Sequence, residues 1–478
     1  MHAHFALIDW LILGCYLVFL LVVGFWPRRQ SNETYLIADR NLALPLFVAT
    51  LVATWYGGIL GAGEFSYSYG LVAWTTNGFP YYFFAIVFAL FLAARVRKAS
   101  IHSYTIPDML EREYDRKTAL LGAFFAFVYA SPSSYILMTG LLLKILFGWH
   151  LLFAMVVGTI FSIVYVYRGG FLSDVRVNTL QFFLMFTGFV IITWMCLARY
   201  GGIHALFVPG ALPKDHLLWL GDPRQGEGLG YVIVWFFIAL VTITDPGFHQ
   251  RCYAARTPRT AVVGILLAVV CWFSFDFMTN VTGLFARMLC PNLADPRMAY
   301  PALAQKILPA GLKGLFYLGM LAPVMASTIS YTFISGVTIG RDFIWRMSTH
   351  KNERKLPQYT AFGLVSSALL AIWIALLVPS VVQQWYAFGN VFVPAMLLPI
   401  LGAYAPDQRW KAPANFTFVS MLLGVVVSLG CLVYGWTHGG VNNPNFPFGW
   451  QPMYSGLLVC VVPYVSGIVW QQHHIHSS

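Results

Sequence analysis

Charged side chains are scarce in this chain. They make up 10% of its 478 residues, against about 25% in a typical soluble domain, and this excludes an ordinary soluble globular protein. Hydrophobic residues account for 59% of the chain. A membrane-spanning helix needs roughly 20 apolar residues, and the sequence contains thirteen such stretches: 5–26, 44–69, 73–94, 118–147, 149–167, 177–198, 229–250, 260–285, 312–340, 357–378, 380–404, 413–435 and 453–471. The sequence therefore predicts an all-α polytopic membrane protein.

Paired cysteines and common catalytic motifs are also missing. The seven cysteines include no C-x-x-C pair, so neither a disulfide framework nor a thiolate metal site is indicated. The sequence contains no H-E-x-x-H, no G-x-S-x-G and no phosphate-binding glycine loop. We therefore expect a protein that is not an enzyme and that has no organic cofactor.

Lysine and arginine outnumber the acidic residues by 29 to 18, which gives a net charge of +11. If the N-terminus lies outside, 21 of these 29 basic residues fall on inner loops, as the positive-inside rule requires. The pattern predicts an outer N-terminus and a cytoplasmic C-terminus, and we expect the membrane to be a bacterial inner (plasma) membrane. The basic excess is then a consequence of the lipid bilayer, and we expect no nucleic-acid partner.

Two of the predicted spans contain helix-breaking residues. Residues 57–63 include four glycines, and 244–247 read Thr-Asp-Pro-Gly. An aspartate followed by a proline is typical of a helix N-cap and first turn. Breaks in the second and seventh spans, five apart, are what an inverted repeat of five plus five helices produces, with discontinuous first helices meeting at the membrane midplane. Glycine also serves close helix packing, which is the alternative reading of 57–63.

The breaks predict three segments: a peripheral helix and inner loop at 1–43, a ten-helix inverted-repeat transporter core at 44–404, and two further peripheral helices with a tail at 405–478. The core helices are numbered 1 to 10 from residue 44, and breaks are expected in core helices 1 and 6. No feature of the sequence specifies an oligomeric state.

Four motifs follow one another over about 250 residues: S-x-x-x-Y-x-x-A-x-R at 31–40, T-I-P-D with a following E-Y at 105–114, R-G-G at 168–170, and Q-R-x-x-A-A-R at 250–256. In this order they resemble the sodium/solute symporter family, which includes bacterial proline and pantothenate permeases and sodium/sugar symporters. The resemblance implies a secondary active transporter with thirteen spans, an outer N-terminus and an inner C-terminus.

The resemblance also implies a sodium site between core helices 1 and 8. Main-chain carbonyls and a hydroxyl pair supply the ligands in the family, and such oxygens suit a small hard cation. Aligned without gaps, the ligands fall on Ala53, Tyr56, Pro323, Ala326 and Ser327, and a shift of one residue adds Thr328 to Ser327 as the hydroxyl pair. The family's T-D-x-x-Q in core helix 5, which supports this ion, reads Asn178-Thr-Leu-Gln181 from its second position.

Asp245 is the carboxylate most expected to carry function, because an acid inside the membrane is costly to maintain. With the resemblance as a guide, the predicted substrate site comprises Trp55, Gly57, Gly58, Asp245, Trp272 and Trp385. Aromatic rings around one anion suit an amine, an amino acid or another cation or zwitterion better than a sugar. Alternatively, Asp245 serves only as a helix N-cap or as the counter-ion of Arg251. Glu64 and Asp276 are expected near the outer ends of their helices.

The sequence therefore predicts sodium-coupled symport of a small organic solute by alternating access. Two alternatives stay open. The first is the same fold with proton coupling through Asp245, or with no coupling. The second is a transporter-like sensor that binds its ligand without turnover.

Overall fold

The computed structural model describes residues 5–25, 31–99, 103–225, 228–349, 352–441 and 444–476, and its regular elements in these ranges are helices. Residues 1–4 and 26–30 of the predicted N-terminal segment and residues 477–478 of the predicted tail lie outside them. Eleven of the described helices are long and apolar enough to span a membrane. The predicted spans 5–26 and 149–167 correspond to two shorter apolar helices, Leu7–Val23 and Leu151–Val164. The count of thirteen spans therefore stays a prediction.

Nine of the eleven long helices and the shorter helix Leu151–Val164 correspond to the ten predicted core helices. Core helix 1 comprises Leu44–Trp55, the 3-10 turn Tyr56–Gly58 and Ile59–Tyr69; core helix 2 Val72–Asn77, Phe79–Val87, the π-helical Phe88–Ala93 and Ala94–Ala99; core helix 3 Arg116–Tyr129 and Ser133–Phe147; core helices 4 and 5 the two halves of Leu151–Arg199; core helix 6 Leu229–Ile238, Val241–Thr244 and Pro246–Ala254; core helix 7 Pro258–Leu289; core helix 8 Leu312–Val337 and the π-helical Thr338–Trp345; core helix 9 Leu356–Leu377; and core helix 10 Val381–Ala403.

Shorter helices connect or flank the core. The flanking helices are Leu7–Phe25, Ala414–Gly439 and Pro452–His476, and the connecting helices include Asn32–Ile37, Ile106–Glu113 and Ala299–Ile307. The 3-10 turns outside the spans are Ala38–Arg40, Ile203–Phe207, Lys214–Leu217, Pro223–Gln225, Pro296–Met298, Glu353–Lys355, Gln408–Trp410 and Pro447–Gly449.

The breaks predicted in core helices 1 and 6 are confirmed. In core helix 1, the turn Tyr56–Gly58 separates two α-helical segments. In core helix 6, Asp245 is extended (φ −65°, ψ 119°). Core helices 4 and 5 meet at Gly170, whose φ of 55° and ψ of −153° interrupt the helical path and favour glycine.

Core helix 8 lies at the centre of the bundle, and its residues from Phe316 to Val337 are buried. It packs closely on core helix 5, where a Cβ on Gly188 would come within 3.1 Å of the Gly319 Cα. The beginning of core helix 1 is tied to the end of core helix 6 by backbone hydrogen bonds, from Leu42 N–H to the Ala254 carbonyl and from Arg256 N–H to the Leu42 carbonyl, both 2.9 Å. These contacts hold the two broken helices side by side.

Candidate functional site

The break in core helix 6 centres on the Asp245 carboxylate. One of its oxygens accepts a hydrogen bond from the backbone N–H of Phe248 at 2.8 Å, which is the N-cap that the Asp-Pro sequence predicts. The other oxygen accepts the hydroxyl of Tyr331, on core helix 8, at 2.8 Å. Asp245 is 2% exposed. Both of these hydrogen bonds come from neutral donors.

The break in core helix 1 brings core helices 8 and 10 close to its backbone. A Cβ on Gly57 would overlap the side chain of Ser327, and a Cβ on Gly58 would overlap the ring of Trp385. These two glycines therefore allow close packing, the alternative that their sequence left open. Because both glycines lie at the break in core helix 1, this close packing also places Ser327 and Trp385 next to the break.

A cavity of about 180 Å³ lies between the two breaks. This volume is small beside the ~300–1,000 Å³ of pockets for drug-sized ligands. Of the residues predicted to bind substrate, Trp55, Gly58, Asp245, Trp272 and Trp385 line it, and Gly57 does not. The other lining residues are Tyr56, Ala62, Phe65, Asn77, Tyr81, Tyr82, Tyr129, Ser131, Ser134, Tyr135, Ile238, Val241, Asp276, Tyr331, Phe388 and Gly389. The lining contains two carboxylates and no lysine, arginine or histidine.

Aromatic rings form one wall of the cavity. Trp55 contacts Phe248 and Trp272, with ring centroids 5.1 and 5.4 Å apart. The Trp385 indole N–H donates to the Ser134 hydroxyl at 3.1 Å, which fixes the orientation of that ring. Only the family resemblance predicted that these tryptophans lie in one site. The tyrosines that line the cavity beside them belong to none of the four sequence motifs that carry the resemblance.

The sequence predicted Asp276 near the outer end of its helix, and the structure does not place it there. It lines the cavity, and its carboxylate accepts a hydrogen bond from Tyr82 on core helix 2. The prediction was wrong because depth along a 32-residue helix cannot be read from an apolar pattern. Glu64, in contrast, lines a second pocket with Asp295 and Arg297, which belong to the connection between core helices 7 and 8.

The predicted sodium ligands meet where core helix 8 passes the break in core helix 1. The Ser327 hydroxyl lies 2.5 Å from the Thr54 carbonyl oxygen and 3.1 Å from the carbonyl oxygen of Pro323. Ala53, Tyr56 and Ala326 are buried in the same region. A hydroxyl between carbonyls at a helix break is a neutral oxygen-rich set, which fits a hard monovalent cation. Thr54 is the one carbonyl contact that the gapless alignment missed.

Two other predicted ion-site residues face elsewhere. The Thr328 hydroxyl donates to the Val324 carbonyl at 2.8 Å and lies 3.2 Å from the Thr139 hydroxyl of core helix 3. One residue along a helix rotates a side chain by about 100°, so Thr328 cannot share the direction of Ser327. The Gln181 amide donates to the Tyr16 hydroxyl of the N-terminal helix at 2.8 Å.

Asn178 belongs to a buried polar cluster that sequence reasoning missed. Its amide lies 3.1–3.2 Å from the hydroxyls of Thr50, Thr54 and Ser330 and from an Asp174 carboxylate oxygen. Asp174 is four residues before Asn178, and residues at this spacing share one face of a helix. The carboxylate that the motif lacks at 178 is therefore supplied one turn earlier.

Arg251 completes this cluster and pairs with Asp174. The two side chains are 0% exposed and 3.4 Å apart, and the guanidinium also donates to the hydroxyls of Thr54 and Ser330 at 2.8 and 3.0 Å. Within the described residues, Arg251 forms no ion pair with Asp245. Asp174 is thus the direct ion-pair partner of Arg251, and the attraction between Arg251 and Asp245 acts over a longer distance. The cluster joins core helices 1, 5, 6 and 8 beside the Thr54 carbonyl.

Comparison with known protein families and sequences gives one consistent result. A family model described as the sodium:solute symporter family matches residues 35–404. Sodium/glucose cotransporter 4 of Danio rerio is 22% identical, over 90% of this chain and 72% of that protein. Sodium/myo-inositol cotransporter 2 of Mus musculus is 24% identical, over 89% of this chain and 70% of that protein.

Solved structures show the same fold. A Na⁺-coupled sialic acid symporter in a substrate-bound outward-open state is similar with a TM-score of 0.77 and 16% identity, over 98% of both chains. Mhp1, a nucleobase-cation-symport-1 family transporter, is similar with a TM-score of 0.56 and 11% identity, over 89% of this chain and 92% of Mhp1. The prediction of a ten-helix inverted-repeat fold is thereby confirmed.

Proposed function

Because the chain belongs to the sodium:solute symporter family, an integral membrane transporter family rather than an enzyme family, we propose that it couples sodium entry to the uptake of a small organic cation. The substrate class is an amine or quaternary ammonium compound bound in the cavity between the two helix breaks. The observation that carries this proposal is the Asp245 carboxylate in a cavity lining that contains no basic side chain.

Electrostatics supports a cationic solute. A carboxylate in the membrane interior is costly unless it is paired, and the only partners of Asp245 in the described hydrogen-bond network are neutral. The ring faces of Trp55 and Trp272 are suited to cation-π contact. A cationic solute would thus supply the direct ion-pair partner that Asp245 lacks among the described residues.

The same geometry argues against a zwitterion. In transporters with broken helices, the N-terminal end of a half-helix often receives the carboxylate of an anionic substrate. Here the Phe248 N–H, at the beginning of Pro246–Ala254, already donates to Asp245. A substrate carboxylate would meet a carboxylate at this position.

A polyol is the second candidate. Two donors in the lining, the Ser131 hydroxyl and the Trp272 indole N–H, are buried without a hydrogen-bond partner among the described residues, and six tyrosines add further hydroxyls. Two of the relatives are named for glucose and for myo-inositol. A hydroxylated solute could satisfy these groups, although it would leave the carboxylates without a counter-charge.

Coupling follows from the position of the proposed ion site. Sodium bound by Ser327 and the carbonyls of core helix 1 would bridge core helices 1 and 8, and so favour the conformation in which these helices are close. The ion can drive uptake only if its affinity differs between the outward and inward states. Alternating access then amounts to rocking of the helices around a fixed midplane site.

A ligand panel tests the proposed function. Thermal unfolding of the purified protein is measured with amines, quaternary ammonium compounds, amino acids, polyols, sugars, carboxylates and nucleobases, in sodium and in potassium, at two pH values. We expect an amine to stabilise the protein in sodium, by RT ln(1 + [L]/Kd). Stabilisation by a polyol alone would select the second candidate, and stabilisation that depends on pH but not on sodium would select proton coupling. Binding without uptake into proteoliposomes would select a sensor.

Ser327→Ala should weaken sodium coupling. The variant removes the one hydroxyl that faces the Thr54 carbonyl, and we expect the sodium concentration for half-maximal uptake to rise about tenfold, which corresponds to about 1.4 kcal/mol. The measurement is solute uptake into proteoliposomes over a sodium series. Maximal uptake at saturating sodium should change much less.

Thr328→Val is the matched control for this variant. It removes the neighbouring hydroxyl of core helix 8, which contacts Thr139 and not the break, so its sodium dependence should stay that of the wild type. If Thr328→Val shifts the sodium dependence and Ser327→Ala does not, the ion site lies elsewhere on core helix 8 and the proposed ligand set is wrong.

A further inference from the structure

Asp276 gives the cavity a second carboxylate that the proposed function does not use. It is carried by core helix 7, whereas Asp245 belongs to core helix 6, and each accepts a hydroxyl from a different tyrosine: Tyr82 for Asp276 and Tyr331 for Asp245. Both carboxylates line the same cavity. The cavity is therefore lined by two carboxyl side chains from two different core helices.

Aromatic rings lie close in the chain to both carboxylates. Phe248, whose N–H caps Asp245, contacts Trp272 with ring centroids 5.8 Å apart. Asp276 follows Trp272 by four residues, a rise of about 6 Å along the helix. Trp55 contacts both Phe248 and Trp272, so the helix segments that carry the two carboxylates are in contact through aromatic rings.

Neither carboxylate forms an ion pair within the described residues, although the charge of Arg251 attracts Asp245 over a longer distance. Among the described ion pairs none involves Asp245 or Asp276, and the arginine closest in sequence to Asp245, Arg251, is paired with Asp174. Two carboxylates in one small, partly apolar cavity repel each other and lose much of their hydration, so the arrangement is unfavourable without cations. A ligand with a single positive charge would compensate only one of them.

We propose that the cavity is built for a short organic dication, a molecule with two amine groups joined by an apolar chain. One ammonium group binds at Asp245 and Tyr331, the other at Asp276 and Tyr82, and the chain between them lies against the rings of Trp55 and Trp272. This inference rests on the proposed function, because it extends a cation site at Asp245 by a second anchor. The small volume of about 180 Å³ favours a chain of few carbons.

The test compares two probes that differ in one amine, putrescine and n-butylamine. Their Kd values are measured in sodium by calorimetry on the purified full-length protein. We expect the wild type to bind putrescine at least tenfold more tightly than n-butylamine. In Asp276→Asn, which keeps the size of the side chain and an acceptor for Tyr82, the ratio of the two Kd values should fall to about one.

Asp295→Asn is the matched control, because this acid lies outside the cavity in the second pocket; its ratio should stay that of the wild type. Equal affinities in the wild type, or a tenfold preference that survives in Asp276→Asn, would overturn the dication while amine binding itself upheld the proposed function. If neither amine binds and a polyol does, both proposals fail. The wild-type ratio decides the matter even if Asp276→Asn does not fold.

Discussion

Asp174→Asn should destabilise the protein by about 3–5 kcal/mol, the usual cost of leaving one member of a buried ion pair without its partner. Asp174 and Arg251 are both fully buried and 3.4 Å apart. The variant keeps a hydrogen-bonding side chain of the same size, so the loss is one of charge. The Arg251 guanidinium would then hydrogen-bond to neutral acceptors, among them the hydroxyls of Thr54 and Ser330. Unfolding by denaturant in detergent micelles measures the change.

The double variant Asp174→Asn/Arg251→Gln separates charge from packing. With both charges removed, no unpaired ion is left in the interior, and a buried pair replaced by neutral groups is often as stable as the original. We expect the double variant to recover most of the stability lost by Asp174→Asn. A single variant as stable as the wild type would mean that Arg251 does not depend on Asp174 for its counter-charge.

The same pair bears on the ion site. Arg251 contacts the Thr54 hydroxyl, and the carbonyl of the same residue is the partner of Ser327. The Asp174 carboxylate balances the positive charge of the Arg251 guanidinium. A sodium ion at Ser327 is therefore not close to an uncompensated cation. The pair of Asp174 and Arg251 thus holds four core helices together next to the proposed ion site.

The main features of the fold could be predicted because helix breakers stand out in apolar runs. The glycines at 57–58 and the pair Asp245-Pro246 lie where a continuous helix would be expected, and both breaks are present. Backbone groups freed inside a membrane must be satisfied by protein, water or ligand. The positions of the two breaks in the sequence were therefore enough to predict a cavity between them.

Side-chain direction was harder to predict. A gapless alignment pairs positions, but it cannot decide between Ser327 and Thr328, which differ by about 100° around the helix. The structure distinguishes the two residues by their contacts. Ser327 contacts the Thr54 carbonyl, and Thr328 contacts Thr139. Helix register errors of one residue therefore change which groups face an ion.

The polar cluster around Arg251 was missed for a different reason. The family motif aligns its carboxylate with Asn178, whereas the carboxylate of this chain is Asp174, one turn earlier on the same helix face. The spacing of four residues between them is visible in the sequence. The tyrosine beside Asp245, Tyr331, carries no such signal, because it comes from core helix 8 and meets Asp245 only in the folded protein.

Asp245→Asn should reduce the affinity for an amine by at least roughly 30-fold. Removing one partner of a buried, hydrogen-bonded charge pair typically costs about 2–5 kcal/mol of binding energy, and 2 kcal/mol corresponds to about that factor. Asparagine caps helices about as well as aspartate, so the hydrogen bond to the Phe248 N–H and the fold should survive. The measurement is the Kd of n-butylamine by calorimetry, with unfolding of the ligand-free variant as a check on stability.

Tyr331→Phe shows whether the loss in Asp245→Asn is one of charge. It removes the hydroxyl that donates to Asp245 but keeps both the ring and the carboxylate, so it deletes a neutral hydrogen bond worth about 0.5–1.5 kcal/mol. A carboxylate that loses this donor gains a free lone pair for an ammonium group, and the amine affinity should fall far less than in Asp245→Asn, or even rise. If both variants lose affinity equally, the pair acts by shaping the cavity, and Asp245 is a helix cap rather than the anchor of the solute.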